Sequence, residues 1–306
     1  MLNILNALGP IFLLVIAGAL LRILKFPGDG FWPLAERFVY FLLFPALLIS
    51  KLAVADFATV AVVPLALSVV VPLLVVSVGM VVLSPLLHPT KAGFTSIHQG
   101  AIRFNTYVAL AAAEQLFGEA GLALAAMTIA WMIPLINVLC VSVFALKVNE
   151  DRFSLSVVGK DLIRNPLILG CLVGLFLNTS GLGLPGWLHP TLSLLGQPAL
   201  PMGLLAVGFG LRLYMDFGVL RDLGLTALLK FILMPILVYL VGQQVGLQGV
   251  GLQIVVLFFA MPTAPSAYIL AKQMGGDAEL MAKLITGQTL LAMITLPLTM
   301  LVVAQL

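Results

Sequence analysis

The feature that most constrains this chain is a series of long apolar runs that occupies nearly all of its length. About 20 helical residues, each rising about 1.5 Å, cross the hydrocarbon core of a bilayer. Ten runs suit that length, at residues 4–24, 34–55, 61–86, 95–117, 120–146, 163–180, 191–214, 220–244, 250–273 and 280–304. The longest polar connection, residues 147–164, divides them into two groups of five. The pattern predicts an all-α membrane protein with ten transmembrane helices, named here spans 1 to 10.

Composition supports the same class of protein. Hydrophobic residues make up 62% of the chain and charged residues 9%, whereas soluble domains average roughly 25% charged residues. So few charges could not cover the surface of a water-soluble protein of this length, but a bilayer accepts apolar side chains on the outside. We interpret residues 1–24 as a retained first span, because no basic region precedes the apolar run as in a signal peptide. The basic residues are scattered, which argues against a nucleic-acid partner.

The distribution of lysine and arginine predicts how the spans are oriented. Cytoplasmic loops of membrane proteins are enriched in these residues. If the N-terminus is outside, fourteen of the fifteen basic residues fall at inward-facing ends or loops and only Lys51 faces outward. The inward set is Arg22, Lys25, Arg37, Lys91, Arg103, Lys147, Arg152, Lys160, Arg164, Arg212, Arg221, Lys230, Lys272 and Lys283. This predicts a multi-pass protein of a bacterial inner (plasma) membrane with both termini in the periplasm.

The two groups of spans show an internal repeat. Residues 114–123 resemble residues 272–281 at an offset of 158, with Gln115 matching Gln273 and Gly118 matching Gly276. Because each group has an odd number of spans, the second enters the membrane from the opposite side. Inverted repeats of this kind are typical of secondary transporters, whose substrate site lies where the repeats meet. We therefore expect two five-helix inverted repeats, residues 1–150 and 151–306.

Other classes of function receive less support. No metal-binding motif or paired intramembrane carboxylates appear, so the sequence predicts neither an enzyme nor a cofactor or metal. Cys140 and Cys171 lie within apolar runs and are interpreted as small buried side chains. The inverted repeat argues against a channel. A sensor that kept a transporter fold and a channel without active transport stay open alternatives for the function, as does a homodimer for the oligomeric state.

The candidate substrate site lies where spans 4 and 9 should break. Span 9 contains Pro262 and Pro265, which remove two amide donors and disfavour helix just before each ring. The 158-residue offset places Thr263 on Asn105 in span 4, and both residue types are good helix N-caps. Two half-helix N-termini near the midplane would attract an anion, most simply a carboxylate.

Further residues complete the candidate site. Arg103 either extends to the cytoplasmic surface or faces the cavity and attracts an anion. Thr128, Asn137, Thr286, Gln288 and Thr289 are polar residues that we expect mainly to form hydrogen bonds between helices. The predicted substrate-binding set is Asn105, Arg103, Thr106, Tyr107, Thr263, Pro262, Pro265, Ser266, Pro45 and Pro201.

An ordered set of motifs resembles the auxin efflux carrier family. That family includes bacterial proteins assigned as malonate transporters and the plant PIN auxin exporters. The motifs are FPALL at residues 44–48, RFNT at 103–106, FGE at 117–119, NPLILG at 165–170, ALPMGL at 199–204 and AMPTA at 260–264. The resemblance covers essentially the whole chain.

The resemblance implies a bile-acid-symporter/NhaA-like fold, with a scaffold domain and a transport domain in which helices 4 and 9 are broken and cross. It implies a substrate role for Asn105 and a crossing role for Pro262 with Pro265. Family members commonly have a small residue where this chain has Tyr107, whose ring would narrow the pocket or stack on the substrate. The implied function is transport of a small organic anion, such as malonate or an auxin-like acid, by elevator-type alternating access.

The sequence leaves the driving force open. Sodium-coupled relatives of this fold use a carboxylate near the span 9 break, and residues 256–270 contain none. Proton coupling needs a titratable group in the pathway, and His88, His98 and His189 are all expected in loops or at helix ends. Facilitated diffusion or exchange is the third alternative.

Overall fold

The computed structural model describes residues 2–28, 30–55, 61–88, 90–148, 165–212 and 217–305. These residues form helices and connecting turns and contain no β-strand, which confirms the all-α prediction. The main helices are α1 (Leu2–Ile23), α2 (Phe31–Leu52), α3 (Val62–Val82), α4 (Lys91–Ile102), α5 (Thr106–Lys147), α6 (Pro166–Thr179), α7 (Leu188–Gly210), α8 (Leu220–Gln244), α9 (Gly249–Phe259), α10 (Ser266–Met274) and α11 (Ala278–Val303).

Seven helical segments in the described residues are long and apolar enough to cross a membrane. One of them, Lys91–Lys147, has 57 residues and includes predicted spans 4 and 5. Two shorter apolar helices, α6 and α9, accompany the seven. The chain is therefore a multi-pass helical membrane protein. The start of predicted span 6 and the end of predicted span 7 lie outside the described residues.

Proline and glycine account for the irregular points in the helices. π-Helical turns at Val39–Leu43 and Leu229–Leu233 come just before Pro45 and Pro235. Proline has no backbone N–H to donate to the carbonyl oxygen one turn earlier, so the regular α-helical hydrogen bonding is interrupted there. In α5, Gly118 has φ 65°, a left-handed conformation that glycine adopts without steric cost, and the helix bends there.

The chain forms two compact units. Unit 1 contains Met1–Val60, Tyr107–Ala130 and Lys160–Gly210, and unit 2 contains Ala61–Thr106, Trp131–Gly159 and Leu211–Leu306. Each unit takes segments from both predicted repeats.

Unit 1 is held together by close helix contacts at glycines. A Cβ atom on Gly18 of α1 would lie 2.1 Å from the carbonyl oxygen of Leu205, and one on Gly208 of α7 would lie 1.8 Å from that of Val15. Only glycine permits such an approach, which is a common way for membrane helices to pack. Gly196 and Gly174 approach α2 in the same manner.

Unit 2 surrounds the candidate site with polar as well as apolar contacts. α4 packs against α8, α10 and α11, and α9 packs against α3 and α11. The rings of Phe104 and Phe258 lie 5.4 Å apart beside the α4–α5 and α9–α10 connections. The buried part of this unit includes Gln99, Lys230 and Gln288, which are each 0% exposed. These side chains form hydrogen bonds at the α4–α5 and α9–α10 connections.

Candidate substrate site

Two helices of unit 2 are interrupted where the sequence predicts a break. α4 ends at Ile102 because Arg103 is extended, with φ −75° and ψ 148°, and α5 begins at Thr106. α9 ends at Phe259, and α10 begins at Ser266 after the segment that contains Pro262 and Pro265. Irregular backbone at membrane depth is tolerated only where protein or water satisfies its polar groups.

The two interruptions are joined by a backbone hydrogen bond. The N–H of Asn105 donates to the carbonyl oxygen of Pro262 at 2.7 Å. Both residues are buried, and Asn105 is 1% exposed. Asn105 directly precedes α5, so it occupies the position from which an asparagine can cap the helix.

Thr263 links the connection after α9 to α4 and does not cap α10. The N-cap of α10 is Pro265, without a side-chain capping bond. The Oγ1 of Thr263 lies 3.0 Å from the Gly100 carbonyl oxygen and 2.8 Å from Gln288 Oε1, and its single proton can go to either. The prediction of a capping role for Thr263 is therefore wrong. The carbonyls left free at the end of α4 attract its hydroxyl instead.

Gln288 of α11 completes this link. Its Nε2 donates to the Gly100 carbonyl oxygen at 3.0 Å, and its Oε1 accepts from the Thr263 N–H at 3.0 Å. The prediction that polar residues of this span form hydrogen bonds between helices is confirmed for Gln288. Thr128 and Thr289, in contrast, donate to carbonyls of their own helices.

Four polar residues surround the α4–α5 connection, and we call Gln99, Arg103, Asn137 and Lys230 the Arg103 cluster. Arg103 Nη1 donates to Gln99 Oε1 at 3.1 Å, and Nη2 donates to Asn137 Oδ1 at 2.6 Å. Arg103 and Asn137 are half-buried. The guanidinium therefore faces polar groups of its own unit.

Lys230 brings a second positive charge to this cluster. Its Nζ donates to the carbonyl oxygen of Arg103 at 2.6 Å. It was predicted at an inward-facing end or loop, which is wrong, because it lies in the middle of α8 and is fully buried. In the described part of the chain, no carboxylate oxygen comes within 4.0 Å of Arg103 or Lys230.

The other predicted site residues divide between the two units. In unit 2, Thr106 and Pro265 are half-buried and Ser266 is exposed. In unit 1, Pro45 is half-buried against Gly170, and Pro201 is exposed on α7.

Tyr107 also belongs to unit 1, where its ring is held by aromatic stacking. It stacks on Phe44 with ring centroids 4.7 Å apart and an interplanar angle of 11°. A Cβ atom on Gly203 would lie 3.2 Å from the Tyr107 ring. The aromatic ring at this position is thus packed between α2 and α7 within unit 1.

Comparison with known proteins decides the family. The sequence matches the family described as Membrane transport protein (Mem_trans) over residues 4–300. The chain belongs to this family, the auxin efflux carrier family. The carrier is therefore a membrane transporter and not an enzyme, as the sequence predicted. No individual curated protein matched it.

Sequence reasoning missed three buried polar residues of the carrier. Lys230 and Gln99 were not among the predicted site residues, although a lone lysine deep in an apolar span is a signal of function in membrane proteins. His98 was expected in a loop or at a helix end. It lies within α4, is fully buried, and has Nε2 2.7 Å from Ser77 Oγ.

Proposed function

We propose that this carrier transports a small organic anion across the bacterial inner membrane by alternating access. The observation that carries the proposal is the position of two cations, Arg103 and Lys230, beside a helix break. Among the residues that the structure describes, no carboxylate lies within ion-pair distance of either. An unneutralised charge at membrane depth costs about 2.5–3.5 kcal/mol or more. An anionic cargo would supply the missing negative charge.

The broken helices support a substrate position at the crossover of predicted spans 4 and 9. The Asn105–Pro262 hydrogen bond joins the two breaks, and the N-termini of α5 and α10 both follow them. Helix N-termini of this kind favour carboxylates. We propose Arg103, Asn105 and Thr106 as the substrate-facing residues. Pro262, Thr263, Pro265 and Ser266 shape the second break.

Unit 2 is the natural candidate for the substrate-carrying body, because it contains both breaks and the Arg103 cluster. Unit 1 would then be the scaffold, with Pro45, Pro201 and Tyr107 in it. This assignment corresponds to elevator-type alternating access in a bile-acid-symporter/NhaA-like fold with ten spans.

Counterflow in proteoliposomes tests this function. Purified carrier is reconstituted with internal unlabelled malonate, another dicarboxylate or indole-3-acetate, and uptake of the labelled acid is followed with and without imposed proton and sodium gradients. We expect at least one carboxylate to be exchanged. A channel would instead show gradient-driven flux without counterflow, and a sensor would show saturable binding without flux.

A further inference from the structure

A buried amide donor of the Arg103 cluster, the Nε2 of Gln99, has no partner in the described part of the chain. Gln99 itself is fully buried. Buried amide hydrogens are nearly always paired, so an exception calls for a physical reason.

Arg103 determines which way the Gln99 amide points. A guanidinium has only donors, so the atom of Gln99 that faces Arg103 Nη1 must be the carbonyl oxygen. The NH₂ group is then directed away from the arginine. If the amide were flipped to give Nε2 another partner, its NH₂ group would face the Arg103 guanidinium, and two donors would oppose each other. Arg103 therefore keeps Gln99 Nε2 in its present orientation.

The other side chains of the cluster are oriented in the same way. Asn137 also turns its oxygen to the guanidinium, at 2.6 Å, and Lys230 spends one of its three N–H groups on the Arg103 carbonyl. The side-chain oxygens of the cluster are thus occupied by Arg103, and the groups left over are donors. A set of donors with two positive charges suits a ligand that has only acceptors, such as a carboxylate.

From this geometry we propose that Gln99 Nε2 is a specificity-determining donor that binds an oxygen of the anionic substrate, with Arg103 positioning it and Lys230 adding charge. The proposal rests on the proposed function and deepens it. It places the carboxylate on the α4 side of the break, next to Arg103. Thr263 and Gln288, whose polar atoms bond to Gly100 and to each other, then have a structural role.

Two substitutions separate a binding role from a structural one. Gln99→Glu keeps an oxygen for Arg103, adds an ion pair and replaces the NH₂ donor by a second oxygen. We expect this variant to be at least as thermally stable as the wild type without ligand and to bind no carboxylate. Gln99→Met removes the donor without adding charge, and we expect its Kd to rise about tenfold or more. Gln243→Met is the matched control, because Gln243 is exposed and bonds Tyr239 of its own helix.

The measurement is the shift in thermal midpoint and the Kd for malonate, succinate and indole-3-acetate, on detergent-solubilised protein. Loss of binding in Gln99→Glu with retained stability, and wild-type binding in Gln243→Met, would support the proposal. Wild-type affinity in both Gln99 variants would overturn it while leaving the proposed function intact. If the wild type binds no acid at all, the proposed function falls and this inference with it.

Discussion

The backbone N–H of Asn105 donates a 2.7 Å hydrogen bond to the carbonyl oxygen of Pro262. This contact joins two broken helices that are more than 150 residues apart in the sequence. Backbone groups that lose their helical partners at each break form hydrogen bonds with the other break, or with the side chains of Thr263 and Gln288. The arrangement makes the interior of unit 2 a polar site bounded by apolar helices.

The link formed by Thr263 and Gln288 should contribute to the stability of unit 2. Thr263→Val and Gln288→Leu each leave the Gly100 carbonyl with fewer donors, at a cost of about 1–3 kcal/mol. We expect a lower thermal midpoint for both and less than additive effects in the double variant, because the two side chains share partners. Thr295→Val is the control, since that hydroxyl bonds only within its own helix. Equal midpoints for Thr263→Val and Thr295→Val would contradict the structural role.

Lys230 should matter more for binding than for stability. Lys230→Met removes a costly buried charge together with one hydrogen bond to Arg103, so the unliganded stability is expected to hold or rise. Malonate affinity should fall about tenfold or more, because one of two cations is lost. Lys283→Met serves for comparison, since Lys283 is paired with Glu279 at 2.7 Å on the same helix. Unchanged malonate affinity in Lys230→Met would show that the ammonium only supports the break.

Glycine packing in unit 1 gives a prediction that is independent of the substrate. Gly208→Ala places a methyl group 1.8 Å from the Val15 carbonyl oxygen, so α1 and α7 must move apart. Overpacking of this kind costs about 1–3 kcal/mol. Gly210→Ala, on the same helix with no atom within 4 Å of the added Cβ, should change the thermal midpoint little. Similar midpoints for the two variants would mean that the close contact is not present in the membrane.

The proposed topology can be tested with fusions at the C-terminus. With ten spans and an external N-terminus, alkaline phosphatase fused after α11 should be active and green fluorescent protein in the same place should be dark. The reverse result would show an odd number of spans or an inverted orientation. A fusion in the connection between predicted spans 5 and 6 should behave in the opposite way.

The sequence predicts the helices and their interruptions well because the signals are local. Pro262 and Pro265 remove amide donors in an apolar run, and the interruption follows. The sequence is less informative about which face of a helix is buried. Membrane helices are apolar on their lipid and protein sides alike, so no periodic pattern shows that Lys230 and His98 face inward.

The hydrogen-bond partners of Thr263 could not be predicted from the sequence. The residue type and position of Thr263 suggest a cap for α10. Its hydroxyl bonds instead to the carbonyl of Gly100 in α4, which lies 163 positions away in the sequence. Lys230 is similar, since its hydrogen-bond partner, the Arg103 carbonyl oxygen, lies 127 positions away in the sequence. Contacts of this range require the folded chain.

Discrimination between an acid and its amide tests the central claim most directly. Malonate and malonamide have nearly the same shape, but only malonate brings negative charge and acceptor-only oxygens to Arg103, Gln99 and Lys230. The measurement is competition of each with a labelled carboxylate for uptake into proteoliposomes. We predict that malonate competes and that malonamide at a hundredfold excess does not. Equal competition by the neutral amide would contradict an anion site at the α4–α5 break.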